Sequence, residues 1–229
     1  MAKLFGVGVG PGDPELVTLK AARLIKESEI IAVPKSGRDI NVALTIAKGA
    51  VPDLDESKVV SISMPMTRDK EELEKSHDQG AKDIIKYLDE GKNVAFLTLG
   101  DPSIYSTYCY VHERVLNQGY EAEIIPGIPS FCAVSARLNE GLTEAADALH
   151  IIPASYDGLE EAMELKGTKV LMKSGKSIGK IKDLIKNKYS NQEVKMVERC
   201  GMEGERVFRN VDEIDENSSY FSVLVVKEK

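Results

Sequence analysis

The sequence predicts an α/β fold whose sheets are mostly parallel or mixed, with helices packed on their faces. Short apolar runs, which are typical of buried strands, alternate with helical patterns along the 229 residues. Loops rich in glycine and proline follow several of these runs. The composition, with 42% hydrophobic and 29% charged residues, is that of a folded protein.

Three strands are predicted in the first half of the chain, over residues 4–9, 30–33 and 94–97. Pro34 is expected to stop the second strand, because proline cannot donate to a ladder. Four helices are predicted over residues 18–28, 39–50, 67–90 and 105–117, since apolar residues recur there on one face. Thr18 is the expected N-cap of the first helix, and Gly119 is expected to end the last.

The same alternation of predicted strands and helices continues in the second half of the chain. Strands are predicted over residues 123–125, 149–152, 169–172, 193–198 and 220–227, and helices over 130–138 and 178–188. The second half begins with a new strand after Gly119, so a domain boundary is expected within residues 117–121. The predicted domains are therefore residues 1–118 and 119–229.

The charge balance and the cysteines exclude several classes of protein. A net charge of −7 argues against unspecific binding to nucleic acid or to an anionic membrane. The longest apolar run is four residues, far too short for a transmembrane helix, and the chain enters its first strand without a leader. Cys109, Cys132 and Cys200 are too scattered for a disulfide framework or a zinc ribbon. A cytoplasmic protein is expected.

Residues 6–14, GVGVGPGDP, form a glycine-rich loop after the first strand. Bare backbone allows positive φ and the close approach of a ligand. The dinucleotide fingerprint requires a further glycine five residues after the first, but Asp13 follows Gly8 and Pro11 follows Gly6 at that spacing. The loop is therefore not a standard Rossmann turn, and it is either a ligand-binding loop of another kind or a tight structural turn.

Two more loops follow strands and precede helices, over residues 99–107 (LGDPSIYST) and 124–131 (IIPGIPSF). Such loops bind ligands in many α/β proteins. Asp101 is expected either to accept a hydrogen bond from a ligand or to cap the following helix. The third loop is either a rigid binding loop or a simple turn.

No residue pattern supports covalent or metal catalysis. His77, His112 and His150 lack a second histidine or a cysteine at ligand spacing, and no Ser-His-Asp pattern is present. The Gly-Lys-Ser run at residues 175–177 lacks the upstream glycine of a P-loop, since Val170 stands there. Three loops without a nucleophile indicate a cofactor that carries its own reactivity.

Together these loops resemble the motifs of the tetrapyrrole methylase family, the class III S-adenosylmethionine methyltransferases. The opening motif is matched by residues 7–18, VGVGPGDPELVT. The second motif is matched by Gly100-Asp101-Pro102 and the third by residues 126–130, PGIPS. The order and spacing agree over nearly the whole chain.

The resemblance implies a two-domain α/β fold with a ligand cleft between the domains, acting as a homodimer. It implies S-adenosylmethionine as the methyl donor and a tetrapyrrole as the substrate, with no nucleic-acid or membrane partner. It carries over no catalytic residue and no metal ligand. The donor-binding residues that it implies are Gly10, Pro11, Gly100, Asp101, Ser103, Tyr105, Ser106, Ser130, Phe131, Met172 and Cys200.

Within the family, the run Tyr105-Ser106-Thr107-Tyr108 resembles the methylases that act on carbon 20 of precorrin-2, with or without cobalt, in corrin-ring biosynthesis. Such a substrate carries carboxylates, so an acidic protein needs a local basic patch. The candidates are Lys173, Lys176, Arg199, Arg206 and Arg209, with ordinary surface charge as the alternative for each. Other open readings are a methylase for another tetrapyrrole position, a diphthine synthase-like or RNA methylase, and a non-catalytic module that binds the donor.

Overall fold

The computed structural model of the chain describes residues 2–35, 41–65, 67 and 69–228, without the side chain of Lys176. The described residues form two compact units, Met1–Pro129 and Ser130–Lys229. Each unit has a five-stranded sheet with helices packed against it. The predicted α/β fold is thus confirmed. None of the helices in the described part of the chain is long and apolar enough to cross a membrane.

The sheet of the first unit is entirely parallel, with the strand order β3-β2-β4-β1-β5. Its strands are β1 (Lys3–Gly8), β2 (Ile30–Lys35), β3 (Val59–Ser63), β4 (Val94–Thr98) and β5 (Glu121–Ile125). Its helices are α1 (Leu19–Glu27), α2 (Val42–Ala50), α3 (Lys70–Asp89) and α4 (Tyr108–Asn117). The apolar residues of α1 and α2 pack on one face of the sheet, and those of α3 and α4 pack on the other.

Short polar side chains begin three of these helices. The Thr18 hydroxyl accepts a hydrogen bond from Ala21 N at 3.1 Å, which confirms the predicted cap of α1. The Asn41 side-chain oxygen Oδ1 accepts from Leu44 N at 3.1 Å at the start of α2, and Asp69 Oδ1 accepts from Glu71 N at 2.9 Å at the start of α3. Residues 39 and 40, where the second helix was predicted to begin, lie outside the described residues.

The sheet of the second unit is mixed, with the order β6-β7-β10-β8-β9. Its strands are β6 (Leu149–Pro153), β7 (Thr168–Met172), β8 (Glu193–Glu198), β9 (Arg206–Phe208) and β10 (Ser222–Lys227). Its helices are α5 (Ser130–Leu138), α6 (Leu159–Met163) and α7 (Ile178–Lys188). Strand β6 is parallel to β7, whereas β10 is antiparallel to both β7 and β8. Strands β6, β7 and β8 therefore end at the same edge.

The structure differs from the sequence predictions of the fold in several places. The units divide after Pro129, later than the predicted 118/119 boundary, because β5 hydrogen-bonds to β1 and so completes the first sheet. Strand β2 continues through Pro34, which is tolerated because the pairing of β2 with β4 ends at Ala32. Elements β3, α6 and β9 were not predicted. The ligand cleft expected between the two halves stays a prediction.

Candidate functional site

The three loops singled out in the sequence meet at one edge of the first sheet. Strand β1 lies between β4 and β5, and all three run parallel, so their carboxyl ends lie side by side. The first loop (residues 9–14) leaves β1, the second (99–107) leaves β4, and the third (126–129) leaves β5. Ligands bind at such an edge in open α/β sheets. The parallel topology of the unit thus brings together three loops that are far apart in the sequence.

A short backbone bridge ties the first loop to the second. Gly10 N donates to Gly100 O at 3.2 Å, and Gly100 N donates to Gly10 O at 2.8 Å. Both residues have positive φ, +74° at Gly10 and +73° at Gly100, which is the region that favours glycine. A Cβ at Gly10 would lie 3.3 Å from Leu16 O, whereas one at Gly100 would come no closer than 4.0 Å to Ile128 O. The backbone of Gly100 is therefore open on its Cβ side.

The third loop packs directly on the backbone of the other two. A Cβ at Gly127 would lie 2.2 Å from Gly100 O and 2.9 Å from Gly8 Cα. A Cβ at Gly8 would lie 2.6 Å from Gly127 N. All three distances are below any normal contact, so these two glycines serve the packing of loop against loop. Gly8 therefore has a structural role, as the tight-turn interpretation of the glycine-rich segment predicts. Fewer residues of this segment are then available to contact a ligand.

The carboxylate of Asp101 holds the second and third loops together. It is buried, Oδ2 accepts from Gly127 N at 2.9 Å, and Oδ1 accepts from Ser103 N at 2.8 Å and from the Ser103 hydroxyl. Helix α4 begins only at Tyr108, so Asp101 does not cap it, and that alternative was wrong. Its visible role is to fix loop geometry, and contact with a donor stays a prediction.

Residues 103–107 form the exposed side of the second loop. Tyr105 has φ +49° and is 43% exposed, so the helix predicted from residue 105 does not start there. Ser103 and Ser106 are exposed or partly buried beside it, and the Ser106 hydroxyl accepts from Tyr108 N at 3.1 Å. The hydroxyl-bearing residues of this loop are thus Ser103, Tyr105, Ser106 and Thr107.

Tyr108 belongs to the core and not to the site. Its ring is fully buried and packs against the ring of Phe96. It also lies against Gly6, since a Cβ on Gly6 would be 2.0 Å from the ring. Its hydroxyl is 2.9 Å from His112 Nδ1. Burial raises the pKa of Tyr108 far above its ordinary value. The core interpretation of Tyr108 and of Val111, also fully buried, is correct.

The remaining predicted donor-site residues lie in the second unit. Met172 ends β7, and Cys200 follows β8 by two residues, so both lie at the edge where β6, β7 and β8 end. Ser130 begins α5, and Phe131 is buried in it. Burial raises the pKa of the Cys200 thiol to about 11, so this thiol stays protonated at neutral pH.

Comparison with known proteins identifies the family. The chain matches the model of the tetrapyrrole (corrin/porphyrin) methylases over residues 3–215. The chain belongs to the tetrapyrrole methylase family. It is 36% identical to a probable cobalt-precorrin-2 C(20)-methyltransferase of Methanocaldococcus jannaschii, covering 98% of this chain and 96% of the relative. It is 28% identical to the cobalt-precorrin-2 C(20)-methyltransferase of Salmonella typhimurium, covering 99% and 97%.

A solved structure agrees at the level of the fold. The uroporphyrin-III C-methyltransferase of Thermus thermophilus, crystallised with S-adenosyl homocysteine, superimposes with a TM-score of 0.74 at 20% identity. The alignment covers 99% of this tetrapyrrole methylase and 98% of that chain.

The five basic candidates of this methylase do not form one patch. The Arg206 guanidinium binds Glu198 at 2.7 Å and Asp215 at 2.8 Å. Arg209 follows Phe208, which pairs with Met196 inside β8, so it lies towards the opposite edge of the sheet. The side chain of Lys176 lies outside the described residues.

Lys173 and Arg199 are the two candidates that directly follow β7 and β8. They therefore share the edge that carries Met172 and Cys200. Arg206 lies at this edge too, opposite Glu198 in the β8–β9 register, where Glu198 and Asp215 hold its guanidinium.

The sequence analysis missed Thr98, the last residue of β4. Its side chain is buried, and its hydroxyl has no hydrogen-bond partner among the described residues. It lies beside Gly8 in the β1–β4 register, at the edge where the three loops meet. Because buried hydroxyls are ordinarily hydrogen-bonded, this hydroxyl is a candidate ligand contact. The only sequence signal was a polar residue at the end of an otherwise apolar strand.

Proposed function

We propose that this methylase transfers a methyl group from S-adenosylmethionine to carbon 20 of cobalt-precorrin-2, a step in cobalamin biosynthesis. The names of two relatives that match nearly the full chain, at 36% and 28% identity, support this substrate and position. The resemblance of residues 105–108 to the carbon-20 methylases supports it from the sequence.

The observation that carries the proposal is the cross-tied edge of the first sheet. Asp101 and the Gly10–Gly100 bridge hold three loops in one arrangement. The Thr98 hydroxyl, unpartnered among the residues that the structure describes, and the open backbone of Gly100 lie at that edge. A ligand with several donors and acceptors, such as a nucleoside bearing an amino acid, fits these groups. We infer that Gly100, Thr98, Ser103 and Ser106 contribute to donor binding.

S-adenosylmethionine supplies, when bound, a methyl group that its sulfonium already activates. The chain therefore has to bind, orient and exclude water, and proximity and orientation alone contribute up to about 7–11 kcal/mol to such a reaction. Burial raises the pKa values of Cys109, Cys132 and Cys200. These thiols stay protonated at neutral pH, which argues against a cysteine nucleophile.

The test is incubation of the purified chain with the donor and either cobalt-precorrin-2 or metal-free precorrin-2. The expected product carries one added methyl group, detected by mass spectrometry and assigned to carbon 20 by NMR with a ¹³C-labelled donor. Methylation at another carbon would move the assignment to a different member of the family. Binding of S-adenosyl homocysteine without turnover of any tetrapyrrole would favour a non-catalytic module.

We further infer from the family resemblance that the chain works as a homodimer in the cytoplasm. Multi-angle light scattering of the purified protein measures the mass of the assembly directly. A monomer at micromolar concentration would contradict the dimer.

A further inference from the structure

The loop of residues 199–205 joins β8 to β9 at the edge of the second sheet where β6, β7 and β8 end. Because Glu198 pairs with Arg206 across the two antiparallel strands, the loop projects from that edge as the turn of a hairpin. It contains Cys200, one of the donor-site residues that the family resemblance implies, and Met172 ends β7 at the same edge. The conformation of this loop therefore decides where Cys200 lies.

The loop begins with a strained backbone. Arg199 has φ +54°, in the left-handed region that residues with a side chain rarely adopt. Five described residues other than glycine have positive φ, and two of them, Lys173 and Arg199, directly follow strands that end at this edge. Such strain persists where the surrounding structure enforces it, and it clusters at functional sites. Specific contacts therefore have to hold this loop in its conformation.

Several hydrogen bonds close the loop on itself. Arg199 N donates to Phe221 O at 2.9 Å, which fixes the start of the loop against the segment before β10. Met202 N donates to Arg199 O at 2.8 Å, and Arg199 Nε donates to Glu203 O at 2.7 Å. The amide of Gly201, which follows Cys200, donates to a side chain instead.

That side chain is Glu205, which ties the loop to helix α5. Its Oε2 accepts from Gly201 N at 2.8 Å, and its Oε1 accepts from Arg137 Nε on α5. Burial raises the pKa of the Glu205 carboxyl, but the bonds from Gly201 N and Arg137 together outweigh it and hold the pKa below its ordinary value. The carboxylate is therefore charged at neutral pH, and both of its oxygens are engaged.

Both segments that Glu205 joins carry predicted donor-site residues. Helix α5 begins with Ser130 and Phe131, and the loop contains Cys200. Burial is the main cause of the raised pKa of the Cys200 thiol, and the charge of Glu205 adds to it, so the two side chains are close together. A binding residue keeps its place when neighbouring hydrogen bonds fix the backbone that carries it.

We propose that Glu205 is a positioning residue of this methylase: by binding Gly201 N and Arg137 it holds the backbone around Cys200 in the place where it contacts the methyl donor. The inference rests on the proposed function, which supplies the donor. Glu205 acts through the loop and not by touching the donor itself. A displacement of about 1 Å at a binding site can cost up to about a hundredfold in activity, so losing these bonds should be measurable.

The experiment compares variants of the full chain with the wild type. Glu205→Ala removes both bonds, Glu205→Gln keeps an oxygen for Gly201 N, and Arg137→Met removes the tie to α5 alone. Glu213→Ala is the matched control, because Glu213 also accepts from the amide four residues before it, Arg209 N at 2.8 Å, but lies beyond β9 towards the opposite edge. Each protein is measured for its melting temperature, its affinity for S-adenosyl homocysteine, and KM for S-adenosylmethionine and for cobalt-precorrin-2.

The thiol of Cys200 reports the position of the loop without turnover. It is partly buried, so its alkylation by iodoacetamide depends on how far the loop opens. Peptide mass spectrometry separates Cys200 from Cys109 and Cys132. Saturating S-adenosyl homocysteine should slow the alkylation of Cys200 severalfold in the wild type, and Glu205→Ala should be alkylated faster than the wild type without ligand.

All titrations are run well below the lowest melting temperature of the set, so that lost folding cannot imitate lost binding. Glu205→Ala is expected to bind S-adenosyl homocysteine about tenfold more weakly or worse, with KM for S-adenosylmethionine raised to match and KM for cobalt-precorrin-2 unchanged. Arg137→Met should lose less affinity than Glu205→Ala, and Glu205→Gln should retain most of it. Glu213→Ala should bind as the wild type does, even where its melting temperature falls as far.

Three results would overturn the positioning role. They are wild-type affinity and KM in a folded Glu205→Ala, an equal loss of affinity in Glu213→Ala, and alkylation of Cys200 in the wild type that S-adenosyl homocysteine does not slow. If Glu205→Ala does not fold, Arg137→Met decides, and wild-type affinity there overturns the role. If the wild type binds S-adenosyl homocysteine but methylates no tetrapyrrole, the proposed function fails separately, and the affinity and alkylation measurements still decide the role of Glu205.

Discussion

Gly127 is the position where one added methyl group should do the most damage to the candidate site. Its Cβ would lie 2.2 Å from Gly100 O and 2.9 Å from Gly8 Cα, all backbone atoms of neighbouring loops. A side chain could rotate away from such a contact, but these atoms move only if a loop moves. We therefore expect Gly127→Ala to push the third loop off the other two.

The expected cost combines two effects. Overpacking costs about 1–3 kcal/mol. Moving Gly127 also weakens its 2.9 Å hydrogen bond to Asp101 Oδ2, and leaving buried partners unpaired costs about 1–3 kcal/mol. Because the two effects overlap, we expect a total loss of about 2–4 kcal/mol in the free energy of unfolding. For a chain of this size each kcal/mol corresponds to about 2–4 °C in melting temperature.

Two other glycines provide matched controls. Gly100 has φ +73°, and its Cβ would meet nothing closer than 4.0 Å, so Gly100→Ala tests backbone strain at the site without overlap. Gly91 has φ +77° with nothing within 4 Å, so Gly91→Ala tests the same strain away from the site. Each should cost about 1–2 kcal/mol.

The assay pairs thermal unfolding by circular dichroism with calorimetry of S-adenosyl homocysteine binding. Gly127→Ala should melt below both controls and lose donor affinity, and Gly91→Ala should keep wild-type affinity. If Gly127→Ala melts no lower than Gly91→Ala, the loops do not depend on the bare backbone of Gly127, and the reasoning is refuted.

Four more outcomes follow from the same contacts. Asp101→Asn should lower stability by about 1–3 kcal/mol, because one amide cannot accept all the hydrogen bonds of the carboxylate; a fully stable variant with lost donor affinity would contradict its structural role. Thr98→Val should weaken S-adenosyl homocysteine binding by calorimetry while Thr98→Ser retains it, and equal affinity in both would remove Thr98 from the donor site. Tyr105→Phe combined with Ser106→Ala should impair methylation more than donor binding, whereas an equal fall in both would assign the pair to the donor. Burial raises the pKa of Tyr108, so its neutral phenol stabilises the fold in full below pH 10.0, the pKa of the unfolded chain, and this stabilisation is lost as the pH rises further. In urea unfolding, the free energy of unfolding of Tyr108→Phe should therefore fall less steeply above pH 10.0 than that of the wild type. Equal slopes would contradict this.

Elements with a strong pattern of their own were predictable from the sequence. Helix α7 spans the predicted residues 178–188, since Ile178, Ile181 and Ile185 recur on one face. Strand β8 likewise matches the prediction at 193–198. In these segments local periodicity and tertiary burial agree, so nothing in the fold overrides the local signal.

Elements that depend on a partner were missed. Strand β3 lies at the edge of its sheet and buries only Ile62 fully, so its apolar signal is weak. Strand β9 has three residues and exists through its pairing with β8. The start of α4 was misplaced because Tyr105 and Ser106 are acceptable in a helix, whereas the backbone of Tyr105 is set by the loop around it. The structure of these segments is determined by contacts with residues distant in the sequence, which a local sequence pattern does not show.

The glycine pattern and the missing nucleophile have one physical explanation. A reaction whose methyl group arrives already activated needs placement from the protein more than reactive side chains. Placement comes from the backbone: Gly8 and Gly127 let three loops pack atom against atom, and Asp101 locks two of them together. The alternating glycines of these loops are visible in the sequence. Thr98 could not be found there, because its proposed role depends on lying beside Gly8 in the folded sheet. Substitutions at this edge should accordingly act through loop position, with donor affinity and stability falling together at Gly127 but separating at Thr98.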